Sequence, residues 1–404
     1  MSAKGSLSEK VGYLTRWLPR YAWQSCTSAR THGTVHLIFA MADHFEPAIL
    51  HERGSERAGY DIQEERVERW CREYPAQMER WRDHDGRPFV HTYFYPAEQF
   101  RADRPEDGRL LDRLAAHCHA GWGEIGIHLH HGLGAPDSSE NTRNELVQFR
   151  DALAERGCLS YWQASGQARY AFVHGNFSLA NSAGGRFCGV DDELQVLSET
   201  GCYADFTLPT NPFNPAQTAK INSIYECSLP LRHRAAHRKG RDLERGRAPQ
   251  IFPLIIQGPL GWDFDGASRS RLGRIENGAL TAANPLSLRR LRHWKRAGIS
   301  VNGRPDWLFI KLHCHGMDPA QREPAMGAPM QRFLRELVEG AGARQERLHF
   351  VTSREMVNII LAACDGREGN PRDYRDYRLN QFLNPPSEHA GFETSGANVT
   401  QVKG

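Results

Sequence analysis

The chain has 404 residues, enough for one large barrel-type domain or two ordinary ones, and its 40% hydrophobic and 25% charged content is that of a soluble protein with a substantial core. A formal charge of +3 gives no support to a nucleic-acid partner, and the single basic run, Arg232 to Arg247, lacks interleaved aromatics and reads as a solvated loop. Nine cysteines, an odd number with no CxxC pair, argue against a disulfide framework and a zinc ribbon alike.

Residues 1 to 30 read as an amino-terminal extension. Lys4, Glu9, Lys10, Arg16 and Arg20 interrupt any apolar signal region, and no run of about twenty apolar residues follows, so a cytoplasmic protein without an integral membrane segment is expected. TVHLIFAMA, 34 to 42, and FVHTYFYP, 89 to 96, have the apolar, β-branched content of strands. Between them, 62 to 82 carries Val67, Trp70, Met78 and Trp81 near one helical face, with Pro75 expected to kink or interrupt it. A helix around Leu110, Leu111 and Leu114 precedes a strand at 124 to 130, and a helix at 141 to 156 precedes a strand at 170 to 174. A helix at 192 to 200 leads into YADFTLP; strands at 251 to 257 and 306 to 312, a helix at 329 to 340 and a strand at 348 to 351 complete the series. This alternation predicts a mostly parallel sheet or barrel with helices outside, occupying residues 31 to 384. A basic insertion is expected near 231 to 250, and residues 385 to 404 lack apolar periodicity and read as a frayed tail.

Chemistry concentrates where these strands end. GEIGIHLHHG, 123 to 132, holds three histidines in four residues. Alternate side chains share a strand face, so His128 and His130 project together, roughly 7 Å apart along the backbone, while His131 points the other way. Asp43-His44-Phe45-Glu46 and His313-Cys314-His315 also follow apolar runs, which suggests strand ends meeting at one divalent metal site. Imidazole and carboxylate suit zinc, and three protein ligands with a position left for water make a catalytic site. His128 and His130 with Asp43 or His44 would make that set. Asp43 is the first candidate for general base and Glu46 the second, His313 is the candidate acid and His315 its reserve. At a fourth strand end, His174 and Asn176 flank Gly175 and could hold a sugar hydroxyl, an amide or a developing oxyanion. Glu124 opens its strand and reads as a cap or salt-bridge partner.

The order of these segments resembles the polysaccharide deacetylase family, the NodB-homology carbohydrate esterases, from about residue 34 to 360. FAMADHFEP resembles the family's first motif, LLDRLAAHCHAGWGEIGIHLHH the helix and strand that deliver the metal histidine, AFVHGNFSLANS stands at the third motif, and FIKLHCHG resembles the last. The chain has Asp43-His44 where the family has two aspartates, and Gly132 where a second histidine would stand, with His130 as its replacement. His174-Gly175-Asn176 replace the third motif's arginine and proline. The resemblance implies a distorted seven-stranded β/α barrel, a carbohydrate substrate, and deacetylation of an N-acetylated sugar or polysaccharide precursor. It further implies Asp43 and His313 as catalytic pair and zinc or a similar ion held by His44, His128 and His130, while His174, Asn176 and His315 stand as candidate substrate contacts. Glu46 and His131 stand in reserve. The competing readings are a glycosidase on a related barrel, which would need paired carboxylates rather than histidine clusters, and an inactive carbohydrate-binding or polysaccharide-assembly barrel.

Overall fold

A computed structural model describes residues 7–27, 33–50, 57–131, 136–210, 214–263 and 273–381, so the expected tail and Gly132 lie outside the described residues. The first helix, α1 (Leu7–Thr27), stands in what the sequence leaves as an unassigned extension. It buries Trp17 completely against Ile221 and Leu260.

The regular part of the chain then alternates as expected: β1 (Val35–His44), α2 (Tyr60–Met78), β2 (His91–Pro96), α3 (Pro105–His117), β3 (Gly123–Leu129), α4 (Ser139–Glu155), β4 (Ser160–Trp162), β5 (Ala168–His174), α5 (Glu193–Thr200) and β6 (Cys202–Asp205). Pro75 lies inside α2, which continues to Met78. Short strands β7 (Ile224–Cys227), β8 (Gly240–Asp242), β9 (Leu254–Ile256), β10 (Gly261–Asp263) and β11 (Arg274–Glu276) follow. The chain closes with α6 (Leu288–Ala297), β12 (Trp307–Cys314), α7 (Arg322–Met326), α8 (Ala328–Gly340), β13 (Glu346–Phe350), α9 (Ser353–Cys364) and β14 (Leu379–Gln381). The basic segment expected as a solvated insertion contributes β8, which pairs antiparallel with β7, and a fully buried His237.

The central sheet runs β12-β1-β2-β3-β5-β6-β9-β7-β8, with β13 paired to the first half of β1. From β12 to β9 every pairing is parallel; β7 and β8 join antiparallel at the far end. The fold is therefore α/β with a mostly parallel sheet. Among the described residues no strand pairing shuts it into a barrel, yet it is strongly curled. Lys311 of β12 donates its Nζ to the carbonyl of Phe206, just beyond β6, at 2.7 Å. Irregular segments fill the gap: the amide of Leu280 bonds the His313 carbonyl at 2.8 Å.

Strand alternation divides the core in two. Leu37, Phe39 and Met41 of β1 face outward to α2, α3 and α8, in a cluster with Trp70, Leu111 and Leu334. Ile38, Ala40 and Ala42 face inward, packed with Phe94, Val173, Phe309 and residues of α9. Thr352 and Glu355 form a capping box at the start of α9, each accepting from the other's backbone, and all twelve residues of the helix are buried. α9 meets the inner face where strands begin: the Ser353 amide donates to Thr92 of β2 and Arg354 pairs with Glu124 of β3 at 2.8 Å. That leaves the inner face at the carboxyl ends of β1, β3 and β12 for the histidines.

Candidate metal centre

His44 ends β1 in step with Ala40 and Ala42, and His128, next to last in β3, is in step with Glu124, so both point inward. Their ring centroids are 4.7 Å apart. Glu46, two residues past the end of β1, turns its carboxylate in between, with Oε1 2.9 Å from His128 Nε2. One ligand atom from each of His44, Glu46 and His128 lies within 4.8 Å of the others, and all three residues are buried. The His128 ring is oriented from behind, because its Nδ1–H donates to the carbonyl of Val173 at 3.1 Å and leaves Nε2 as the atom presented to the cluster. His44 Nδ1 is buried and has no hydrogen-bond partner. A buried imidazole nitrogen without a partner is costly, and a cation would satisfy it. The donor set therefore fits a divalent ion.

His130 lies beside this set, its ring 4.5 Å from that of His128. It is gripped at both nitrogens: Nδ1 meets Glu98 Oε1 at 3.0 Å and Nε2 meets Glu46 Oε1 at 3.3 Å. The close ligand set takes Glu46 in place of His130. Gly175 makes room for the ring, since a Cβ there would stand 2.4 Å from His130 Cδ2. The approach expected of Gly175 is thus made by a histidine of the protein itself. Burial opposes a charge on His130, but Glu46 and Glu98 outweigh it and raise its pKa to about 10. His44 goes the other way, held well below the usual range by burial and by His315 and His128. Burial also raises the Glu46 carboxyl, but the bonds from His128 and His130 prevail and hold it low.

His313 and His315 complete the inner cluster, with ring centroids 6.2 Å and 4.7 Å from that of His44. His313 is buried and stays neutral, because burial and the nearby Lys311 and His315 depress its pKa. His315 is only partly buried.

The remaining expected site residues lie elsewhere. Asp43 is next to His44 on β1 and so faces outward, with Phe39 and Met41. Its carboxylate accepts from His91 Nδ1 at 2.9 Å and from the Gly316 amide at 2.6 Å, and it is fully buried. The expectation that Asp43 serves as base at the histidine cluster is therefore corrected: the strand turns it to the opposite face. His174 is likewise not among the inner residues, and the Asn176 amide donates to His174 Nδ1 at 3.1 Å. His174 follows Phe172 outward and stacks on His131, with centroids 4.9 Å apart. His131 is held by Asp137 at Nδ1 and Glu193 at Nε2, at 2.8 and 2.7 Å. Glu124 pairs with Arg354 as a salt-bridge partner. Glu98, Asp137, Cys188 and Glu193 were not singled out in the sequence; the one available signal is that buried histidines require carboxylates nearby.

No family model matches the chain, and no curated protein matches it. A crystal structure from Mycobacterium smegmatis, described provisionally as a polysaccharide deacetylase, aligns over 85% of this chain and 96% of its own. The identity is 14% and the TM-score 0.39, a likeness that says nothing of this chain's chemistry. No helix among the described residues is long and apolar enough to cross a membrane.

Proposed function

We propose that the chain is a metal-dependent hydrolase that removes the acetyl group from an N-acetylated sugar, within a curled α/β sheet of the distorted β/α barrel type. The observation that carries this reading is the buried convergence of His44, Glu46 and His128 at strand ends, with His44 Nδ1 left unpartnered. The choice of an N-acetylated sugar comes from the motif resemblance in FAMADHFEP, EIGIHLHH and FIKLHCHG.

In this reading His44, Glu46 and His128 hold the ion, with zinc the best match to a nitrogen and oxygen donor set. A divalent ion there would supply Lewis acidity and would lower the pKa of water from about 15.7 towards about 7. The chain's own groups do the rest. Val173 fixes the His128 ring, so Nε2 is ready without reorganisation. His130, held between Glu98 and Glu46, braces the Glu46 carboxylate beside the site. His313, its ring 6.2 Å from that of His44, is the residue placed to take the proton from the attacking water and return it to the departing amine nitrogen. His315, partly open, is the contact for the sugar.

The test is acetate release from N-acetylglucosamine oligomers by chelated protein and by the same protein reloaded with zinc. Activity that returns with zinc, and is lost in Glu46→Gln, supports the assignment. Equal turnover before and after chelation, or full activity in Glu46→Gln, would overturn it.

A further inference from the structure

The outer face carries a second constellation that the proposed reaction does not use. His131 at the end of β3, His174 at the end of β5, Cys188 in the following loop and Glu193 at the start of α5 are all buried. One ligand atom from each lies within 4.8 Å of the others. We propose that His131, Cys188 and Glu193 form a second metal site, with zinc as the ion their sulfur, nitrogen and oxygen donors select.

Each donor is already aimed. His131 Nδ1–H donates to Asp137 Oδ2 at 2.8 Å, the carboxylate-histidine arrangement that sets the tautomer and presents Nε2. That Nε2 stands 2.7 Å from Glu193 Oε1, while Glu193 Oε2 is braced by the Ala180 amide at 2.6 Å. Cys188 Sγ accepts from the Val190 amide at 3.4 Å and lies 3.7 Å from Glu193 Oε2; burial and Glu193 push the thiol up, so the thiolate forms only as a cation arrives.

His174 supplies the second observation. Its Nδ1 accepts from the amides of Asn176 and Ser178, at 3.1 and 3.3 Å, so the proton of the neutral ring sits on Nε2. That Nε2 is fully buried without a hydrogen-bond partner, 3.9 Å from Glu193 Oε1. It cannot ligate in this tautomer. It is placed instead to donate to the outer lone pairs of the ligating carboxylate or thiolate, and the fourth coordination position stays open to water.

The site would pin the loop between β5 and α5, where Phe177, Ala180, Asn181 and Phe187 all have left-handed φ, from 48° to 66°. Non-glycine residues hold that conformation only when their surroundings enforce it. Binding exchanges the Cys188 thiol proton and the proton shared by His131 and Glu193 for the cation, releasing both to solvent.

This site is separable from the inner one because the inner cluster has no cysteine. The whole protein, chelated and reloaded with cobalt(II), should show a thiolate-to-cobalt charge-transfer band in the near ultraviolet. The band should persist in Cys314→Ser and vanish in Cys188→Ser. On native zinc protein, X-ray absorption should show sulfur at about 2.3 Å from zinc, a readout that needs no variant. Absence of the band in the native chain, its survival in Cys188→Ser, its loss only in Cys314→Ser, or zinc with no sulfur neighbour would each overturn the proposal. None of these outcomes bears on acetate release at the inner cluster.

Discussion

Replacing Gly175 with alanine tests whether His130 is anchored or merely adjacent. A Cβ at that position would stand 2.4, 2.6 and 2.7 Å from His130 Cδ2, Cγ and Nε2. An ordinary contact begins at 3.4 Å, so the ring must recede by about 1 Å. It is not free to do so, because Glu98 holds both its Nδ1 and its backbone amide, at 3.0 and 3.2 Å, and Glu46 holds Nε2 at 3.3 Å. Overpacking costs ~1–3 kcal/mol, and a hydrogen bond to a charged group is worth ~1.5–3 kcal/mol. The ring relieves one cost by accepting the other, so the two do not add, and a loss of ~2 kcal/mol is expected. Movement of His130 also releases Glu46 Oε1, so zinc affinity should fall ~10–100-fold, as for other groups that orient a ligand. Urea unfolding at pH 7 on chelated protein reads the first effect, and competition with a zinc indicator reads the second. Stability within ~0.5 kcal/mol of native together with unchanged zinc affinity would refute the reasoning, since that is the range of an indifferent surface change.

The pH dependence of chelated protein has a defined sign. Against burial, paired carboxylates raise His130 to about 10 and His131 to about 9, so their stabilisation is complete below the ordinary value of 6.5 and lost as pH rises through those values. Asp137 and Glu193 are depressed to about 2, so theirs is complete above their ordinary values of 3.8 and 4.5 and lost as pH falls towards 2. Histidines held neutral by burial, His44, His174 and His313 among them, take up protons only on unfolding and so lower stability as pH falls below 6.5, so the urea midpoint should peak near 6.5, and a midpoint still rising at pH 9 would contradict this. Arg354→Ala strips the buried Glu124 of its partner and should cost ~3–5 kcal/mol, whereas Arg354→Met with Glu124→Leu should recover most of that; equal losses would show that the pair is not what matters. Asp43→Asn weakens the grip on Gly316, next to His315, and should lower activity while leaving the pH-rate limb of the catalytic base in place. Disappearance of that limb would return Asp43 to the role of base.

Much of the architecture was legible because strands and amphipathic helices announce their periods. The strands ending in His44, Leu129, His174 and Cys314 lie where the apolar runs stand. α9 was missed for the opposite reason: all its faces are buried, so it has no polar stripe to betray a helical period. β8 was missed because Arg241 and Asp242 at an edge strand look like loop residues. At the site, strand parity separated His131 from His128 and His130 correctly. Applied to β1, the same parity separates Asp43 from His44, since small Ala40 and Ala42 alternate with large Phe39 and Met41; the motif resemblance pulled the two together instead. Glu98, Cys188 and Glu193 come from turns and a helix start, whose direction no periodicity carries.

Zinc stoichiometry is the most direct test of the inner cluster as a metal centre. The comparison is elemental analysis of untagged native protein against a His44→Ala/His128→Ala double variant, both reloaded and desalted, with folding checked by circular dichroism. The account predicts that the double variant binds one equivalent fewer per chain than the native protein. Equal metal content in the two folded proteins, or none in the native chain after reloading, would contradict it.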